Sequence, residues 1–195
     1  MDPERVERAA ESARSGELVV YPTETVYGLG ADALSEPAVE RVFEAKGRPR
    51  DDPVSFGVAS VERATEYTHP TDREVEFMRA FLPGPVTVVV EAGGAIPEAL
   101  TGGRERVGIR IPDHPVALDL LREAGPLTAT SANRSGTGSA RTVDEIDDSV
   151  RTACGAVLDA GELPGTESTV VDVSAGTIHR RGALADEIEA WIERN

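Results

Sequence analysis

Three cations fall within five residues at Lys46-Gly47-Arg48-Pro49-Arg50, and Lys46 is the only lysine among the chain's 20 Lys and Arg residues. Lysine offers a strongly hydrated point charge with three movable donors, whereas the planar arginine fork grips phosphate or carboxylate oxygens in pairs. Together these residues carry enough local charge to hold a triphosphate. A solvated basic helix end would present the same residues, so the cluster gains meaning only from its neighbours. As a helix end, it predicts that Lys46→Ala acts as a surface change and leaves the thermal midpoint nearly unchanged.

Four further segments carry chemistry. Pro22 to Ala33 reads as one connection holding two threonine hydroxyls, two carboxylates, a phenol and two glycines. Within it, Gly28-Leu29-Gly30-Ala31-Asp32-Ala33 matches the G-x-G-x-x-A dinucleotide pattern, but Thr23 to Tyr27 separate it from the strand that its first glycine should end. The alternatives are an ordinary glycine loop and a loop whose hydroxyls line a small polar pocket. Leu127 to Gly136 is a strand that breaks into small polar residues, either a Ser/Asn-rich turn or a set of hydroxyls and N–H groups at a sheet edge. Glu167-Ser168-Thr169 opens another strand with a serine. In Gly108-Ile109-Arg110-Ile111-Pro112 an arginine interrupts an apolar strand, where a charge is costly unless paired. Arg110 must therefore meet a carboxylate, the protein's own or a ligand's.

The elements that position these residues alternate along the whole chain. Asp2-Pro3 starts a helix that runs to Gly16, Leu18 to Tyr21 is a buried strand ended by Pro22, and a second helix spans Ser35 to Gly47. Strands are predicted at 54–59, 86–91, 107–111, 127–130, 156–159, 169–173 and 177–180. Helices are predicted at 61–67, 73–81, 115–123, 143–150 and 184–193. This interleaving predicts one α/β domain over residues 1–195 with a twisted, mixed sheet. With 39% hydrophobic but only 4% aromatic residues, its core must be built from Val, Ala, Leu and Ile.

A formal charge of −15 marks a solvated acidic surface, and with the near absence of lysine it suggests adaptation to high salt. Such a surface repels nucleic acid, so any polyanion must be met by a local cluster. The single Cys154 allows no internal disulfide, and the three histidines have no metal-ligand spacing. There is no P-loop, no nucleophile elbow and no apolar stretch long enough for a membrane span. A cytoplasmic location is expected.

Taken in order, Pro22-Thr23-Glu24-Thr25-Val26-Tyr27-Gly28-Leu29-Gly30, Lys46-Gly47-Arg48-Pro49, Arg110-Ile111-Pro112-Asp113-His114-Pro115, Ser131-Ala132-Asn133 with Ser135-Gly136, and Glu167-Ser168-Thr169-Val170-Val171-Asp172 resemble the YrdC family of threonylcarbamoyl-AMP synthases. The resemblance runs from about Leu18 to Arg181 and points to a short, single-domain member of halophilic archaeal origin. It implies an α/β twist with a concave, locally positive cavity. It also implies the reaction of L-threonine, bicarbonate and ATP to threonylcarbamoyl-AMP and pyrophosphate, with Mg²⁺ on the ATP. The product would pass to a tRNA threonylcarbamoyl transferase, and contact with tRNA or other double-stranded RNA would be part of that setting.

By the same resemblance, Lys46, Arg48, Ser131 and Asn133 face the nucleotide, with Lys46 and Arg48 also catalytic. Thr25, Arg110 and Ser168 hold threonine, and Arg180 contacts the nucleotide. Asp52 and Gly57 depart from the family's usual asparagine and histidine. Asp52 beside a triphosphate would repel it unless Mg²⁺ lies between, and Gly57 would remove a polar pocket wall. The chain ends at Asn195 without the C-terminal domain of longer members. A YciO-like paralogue that binds nucleotide for another task, and a structured-RNA-binding module without catalysis, are the competing readings.

Overall fold

The computed structural model describes residues 1–195. In chain order its elements are α1 (Pro3–Arg14), β1 (Leu18–Pro22), β2 (Tyr27–Gly30), α2 (Glu36–Lys46), β3 (Ser55–Gly57), α3 (Val61–Thr65), α4 (Asp72–Phe81), β4 (Val86–Glu91), α5 (Glu98–Thr101), β5 (Arg106–Arg110), α6 (Pro115–Ala124), β6 (Leu127–Ser131), α7 (Asp148–Thr152), β7 (Cys154–Val157), β8 (Thr169–Asp172), β9 (Thr177–Arg180) and α8 (Ala185–Arg194). The nine strands form one sheet in the order β7-β1-β2-β6-β3-β5-β4-β8-β9. Three pairs, β1/β7, β3/β5 and β4/β8, are parallel and the other five antiparallel, so the sheet is mixed as expected.

Helix ends follow local chemistry. Asp2 caps α1 by accepting from the Glu4 N–H, with Pro3 at the first helical position. Gly47 ends α2 in the left-handed conformation at φ 58°, which costs a glycine little. In β1, Val19 and Tyr21 pack with α1 and α6 while Leu18 and Val20 pack against α2. Both faces are therefore covered, which is why this strand reads as an unbroken apolar run.

The other half of the sheet is covered on one face only. Phe56, Val86, Val88, Val90, Val107, Ile109 and Val171 join the largest core cluster. Their alternate neighbours, Ser55, Thr87, Val89, Arg106, Gly108, Arg110 and Val170, line a cavity on the opposite face. The two-residue period of a strand thus assigns one set of residues to the core and the other to the site.

Three expectations need correction. Pro22 to Ala33 is not one connection, because Tyr27–Gly30 forms β2 against β1. Its two glycines hid the strand, yet they allow it: a Cβ at Gly28 would lie 2.8 Å from the Tyr21 ring, so only a bare backbone pairs there. Residues 143–150 are not one helix but a 3-10 turn, Val143–Glu145, followed by α7. The α5 turn was not anticipated, and β7 begins two residues before its expected start.

Candidate active site

The uncovered face of β3, β4, β5, β6 and β8 walls a cavity of about 470 Å³, closed at one end by the β1–β2 turn and at another by Arg48 to Val54. Of the residues singled out from sequence, Thr25, Arg48, Asp52, Arg110, Ser131, Ser168 and Arg180 line it together. Six stretches of the sequence therefore meet at one site. The remaining polar wall is mostly hydroxyl, including Thr23, Ser55, Thr87 and Thr130.

Five arginines, 48, 104, 106, 110 and 180, face this space, against the carboxylates of Asp52 and Glu167. Arg110 is 7% exposed, and the carboxylate it meets is the protein's own. Its Nη2 donates to Glu24 Oε1 at 2.5 Å, and Nη1 reaches the Val86 carbonyl at 3.3 Å. Arg48 is shaped by its own loop. Its Nε donates to the Asp52 carbonyl at 2.8 Å and its Nη2 to the Pro53 carbonyl at 2.9 Å, with the Asp52 carboxylate 3.0 Å away. The Asp52 charge that would repel a triphosphate is thereby partly offset by Arg48. Arg180 holds Ser168 twice, donating to its carbonyl at 3.0 Å and its hydroxyl at 2.7 Å. Burial pushes the Tyr21 phenol on the cavity floor well above its ordinary range, and Arg110 pulls in the other direction.

Lys46 and Asn133 are placed differently. Lys46 is 2% exposed and is absent from the cavity wall. Its ammonium donates to the carbonyls of Ser131 and Asn133, the latter at 2.7 Å. It ties the end of α2 to the end of β6 from behind. Burial first, and the Arg48 charge second, push its pKa down to about 7, while the two carbonyls favour the ammonium form. The surface-change expectation is thus corrected: removing this side chain opens a buried gap and strands two carbonyls. The Asn133 amide donates to the carbonyls of Arg134 and Thr137 at 2.7 and 2.8 Å, fixing the loop whose carbonyl Lys46 holds.

Gly57 is corrected too. It does not line the cavity, and a Cβ there would meet the Leu127 carbonyl at 3.1 Å and Ala129 Cβ at 3.3 Å. Its lack of a side chain accommodates the neighbouring strand β6 rather than opening a wall.

Arg104 and Arg106 escaped the sequence reading, although stepping back by twos from Arg110 along β5 reaches Gly108 and Arg106 on the same face. Arg106 Nη2 donates to Glu74 Oε1 at 2.8 Å, to the Val89 carbonyl at 2.7 Å and to Asp172 Oδ1 at 3.1 Å. Glu74, 1% exposed, also receives the Thr71 N–H in a capping box and the Ser174 hydroxyl. Arg106 therefore anchors α4 and the end of β8 while its side chain borders the cavity. No group of three His, Cys, Asp or Glu side chains gathers to hold a metal, and no helix is long and apolar enough to cross a membrane.

Residues 11–182 match the Sua5–YciO–YrdC family model, described as telomere recombination. The chain is 41% identical over 194 residues to the threonylcarbamoyl-AMP synthase of Pyrococcus abyssi, covering 96% of this chain and 57% of that protein. It is 37% identical over 198 residues to the threonylcarbamoyl-AMP synthase of Bacillus subtilis, covering 98% of this chain and 57% of that protein. The solved structure of P. abyssi Sua5 complexed with L-threonine superposes with a TM-score of 0.92 at 39% identity, over 97% of this chain and 58% of that one. The chain thus spans little more than half the length of these relatives.

Proposed function

We propose, since this chain belongs to the Sua5–YciO–YrdC family, that it is a nucleotidyltransferase making L-threonylcarbamoyl-AMP from L-threonine, bicarbonate and ATP, with release of pyrophosphate. The observation that carries this reading is the cavity itself. A buried, paired arginine, Arg110, and the more open Arg48, Arg104 and Arg180 share one hydroxyl-lined wall in a chain of net charge −15. Such a site suits a small carboxylate at one end and a polyphosphate at the other.

The threonine nitrogen bonds to the bicarbonate carbon as the C–OH bond breaks. The ammonium gives up two protons, one completing water on the departing hydroxide and one to solvent. An oxygen of the N-carboxylate then attacks the α-phosphorus, and the bond to the bridging oxygen breaks to release pyrophosphate. Two anions must be held in contact, so catalysis is a matter of positioning and charge neutralisation. In this reading Arg110 binds the threonine carboxylate while Thr25 and Ser168 orient the amino acid. Arg48 and Arg180 hold the nucleotide, Ser131 lies beside it, and Lys46 and Asn133 act from behind the wall.

Mg²⁺ bound with ATP would neutralise phosphate charge, and Asp52, one of the two wall carboxylates, would hold it alongside phosphate and water. With the reading go a cytoplasmic location, delivery of product to a tRNA threonylcarbamoyl transferase, and a working range at high salt. The test is pyrophosphate release from ATP, with and without L-threonine and bicarbonate, in low and molar KCl. Release that requires both co-substrates supports the synthase. ATP binding with no response to threonine assigns the chain to a nucleotide-binding paralogue, and salt-sensitive binding of structured RNA without turnover favours the RNA module.

A further inference from the structure

We infer that Glu24 reads the α-ammonium group of the amino-acid substrate and so makes the site selective for an amino acid over a hydroxy acid. The inference rests on the cavity being a threonine site. Glu24 lies between Thr23 and Thr25, both on the cavity wall, but does not itself line the cavity; it meets the site through the wall residue Arg110. Its Oε1 accepts from Arg110 Nη2 at 2.5 Å, while Oε2 is enclosed and has no hydrogen-bond partner. The contact is one-point rather than fork-to-fork. Arg110 spends one Nη2 donor on Glu24 and one Nη1 donor on Val86, out of the five that a guanidinium carries.

Unspent guanidinium donors on the wall thus lie beside an unspent carboxylate oxygen enclosed just beneath it. An α-amino acid presents the complementary pair, a carboxylate and an ammonium on one carbon. An enclosed carboxylate oxygen without a donor is unfavourable, and a ligand N–H relieves it. The side chain is 16% exposed and its last torsion is soft, so a turn of the carboxylate presents Oε2 to the cavity while the other oxygen stays with Arg110.

Glu24 also gives the reaction a direction. Carboxylation turns a positive nitrogen into part of an anion, so the residue that attracts the ammonium repels the product of the first step. The new carboxylate is driven away from Glu24 and toward the arginines that hold the nucleotide in the proposed function.

Calorimetry of wild type, Glu24→Gln and Glu24→Asp with three ligands tests this: L-threonine, its α-hydroxy analogue 2,3-dihydroxybutanoate, and ATP. Wild type should prefer threonine to the analogue by about ten- to a hundred-fold, the usual worth of a hydrogen bond to a charged group. Glu24→Gln should lose that preference through weaker threonine binding, with analogue and ATP affinities held within about two-fold. Equal weakening of threonine and analogue, or an unchanged preference, overturns the inference. Should Glu24→Gln melt near the assay temperature, Glu24→Asp decides: its withdrawn carboxylate should weaken threonine more than the analogue, and equal loss again overturns it. Wild-type protein that binds ATP but not threonine overturns the threonine site and this inference together. An unchanged preference in a threonine-binding wild type overturns the inference alone.

Discussion

Binding of a triphosphate should draw a proton onto Lys46. Burial and Arg48 push this amine to about 7, against an ordinary value of 10.5. At pH 8 an amine of that pKa is protonated in roughly one molecule in eleven. A bound phosphate offsets the Arg48 charge but leaves the burial in place, so each nucleotide takes up at most about 0.9 proton at pH 8 and at most about 0.1 at pH 6. The affinity for ATP should then fall as pH rises above about 7.5, by no more than about ten-fold per pH unit, by the same linkage.

Calorimetric titration of ATP in two buffers of different ionisation enthalpy reads the uptake directly. Lys46→Met, of similar length and untitratable, should bring it near zero. Buffer-independent heats at pH 8 in the wild type would refute the reasoning and leave Lys46 as a structural tie between α2 and β6. The stability sign follows from the same shift. A lysine whose folded pKa is lowered binds its proton better in the unfolded chain, so its contribution to stability rises with pH from about 7 toward 10.5.

Arg106→Leu should cost about 3–5 kcal/mol in urea unfolding, because it strands the Glu74 carboxylate, 1% exposed, as an unpaired buried charge; a loss under about 1 kcal/mol would show that Ser174 and Thr71 suffice to hold it. Arg110→Lys keeps the charge but loses the fork, so KM for threonine should rise about ten-fold or more while KM for ATP moves little; equal rises would reduce Arg110 to the structural partner of Glu24. Asp52→Asn should raise the Mg²⁺ concentration for half-maximal activity several-fold with turnover at saturating metal retained, and an unchanged Mg²⁺ titration would confine Asp52 to its pairing with Arg48.

Much of the architecture was legible wherever one strand face is apolar. β4 and β9 were bounded to the residue, and the arginine inside β5 announced a charge that had to meet a carboxylate. What stayed hidden depends on partners remote in sequence. β2 was masked because Gly28 and Gly30 have low strand propensity, and only the Tyr21 ring lying across them explains the choice. The basic helix end at Lys46 reads as solvated until the last carbonyls of β6, some 85 residues later, close over the ammonium. Gly57 reads as a missing wall until β6 is seen to pack against it. Arg106 was within reach, since the two-residue period that made Arg110 conspicuous applies equally four residues earlier.

That arginine supplies nearly all the cations also fits the physics of this cavity. A guanidinium keeps its charge when partly buried, whereas an ammonium sheds its proton as water is removed. The wall that must hold anions in every state of the cycle is therefore built from residues 48, 104, 106, 110 and 180. The one lysine sits where its proton is held least firmly. Outside the cavity, the net charge of −15 repels an approaching nucleotide over a Debye length of about 10 Å at 0.1 M salt and about 3 Å at 1 M. Contacts inside the cavity, 2.5 to 3.3 Å long, are far shorter than the first length and comparable to the second. Added salt should consequently speed the encounter, by removing the repulsion, before it weakens the grip. A nucleotide association rate that first rises with KCl is the signature of this separation between an acidic exterior and an arginine-lined interior.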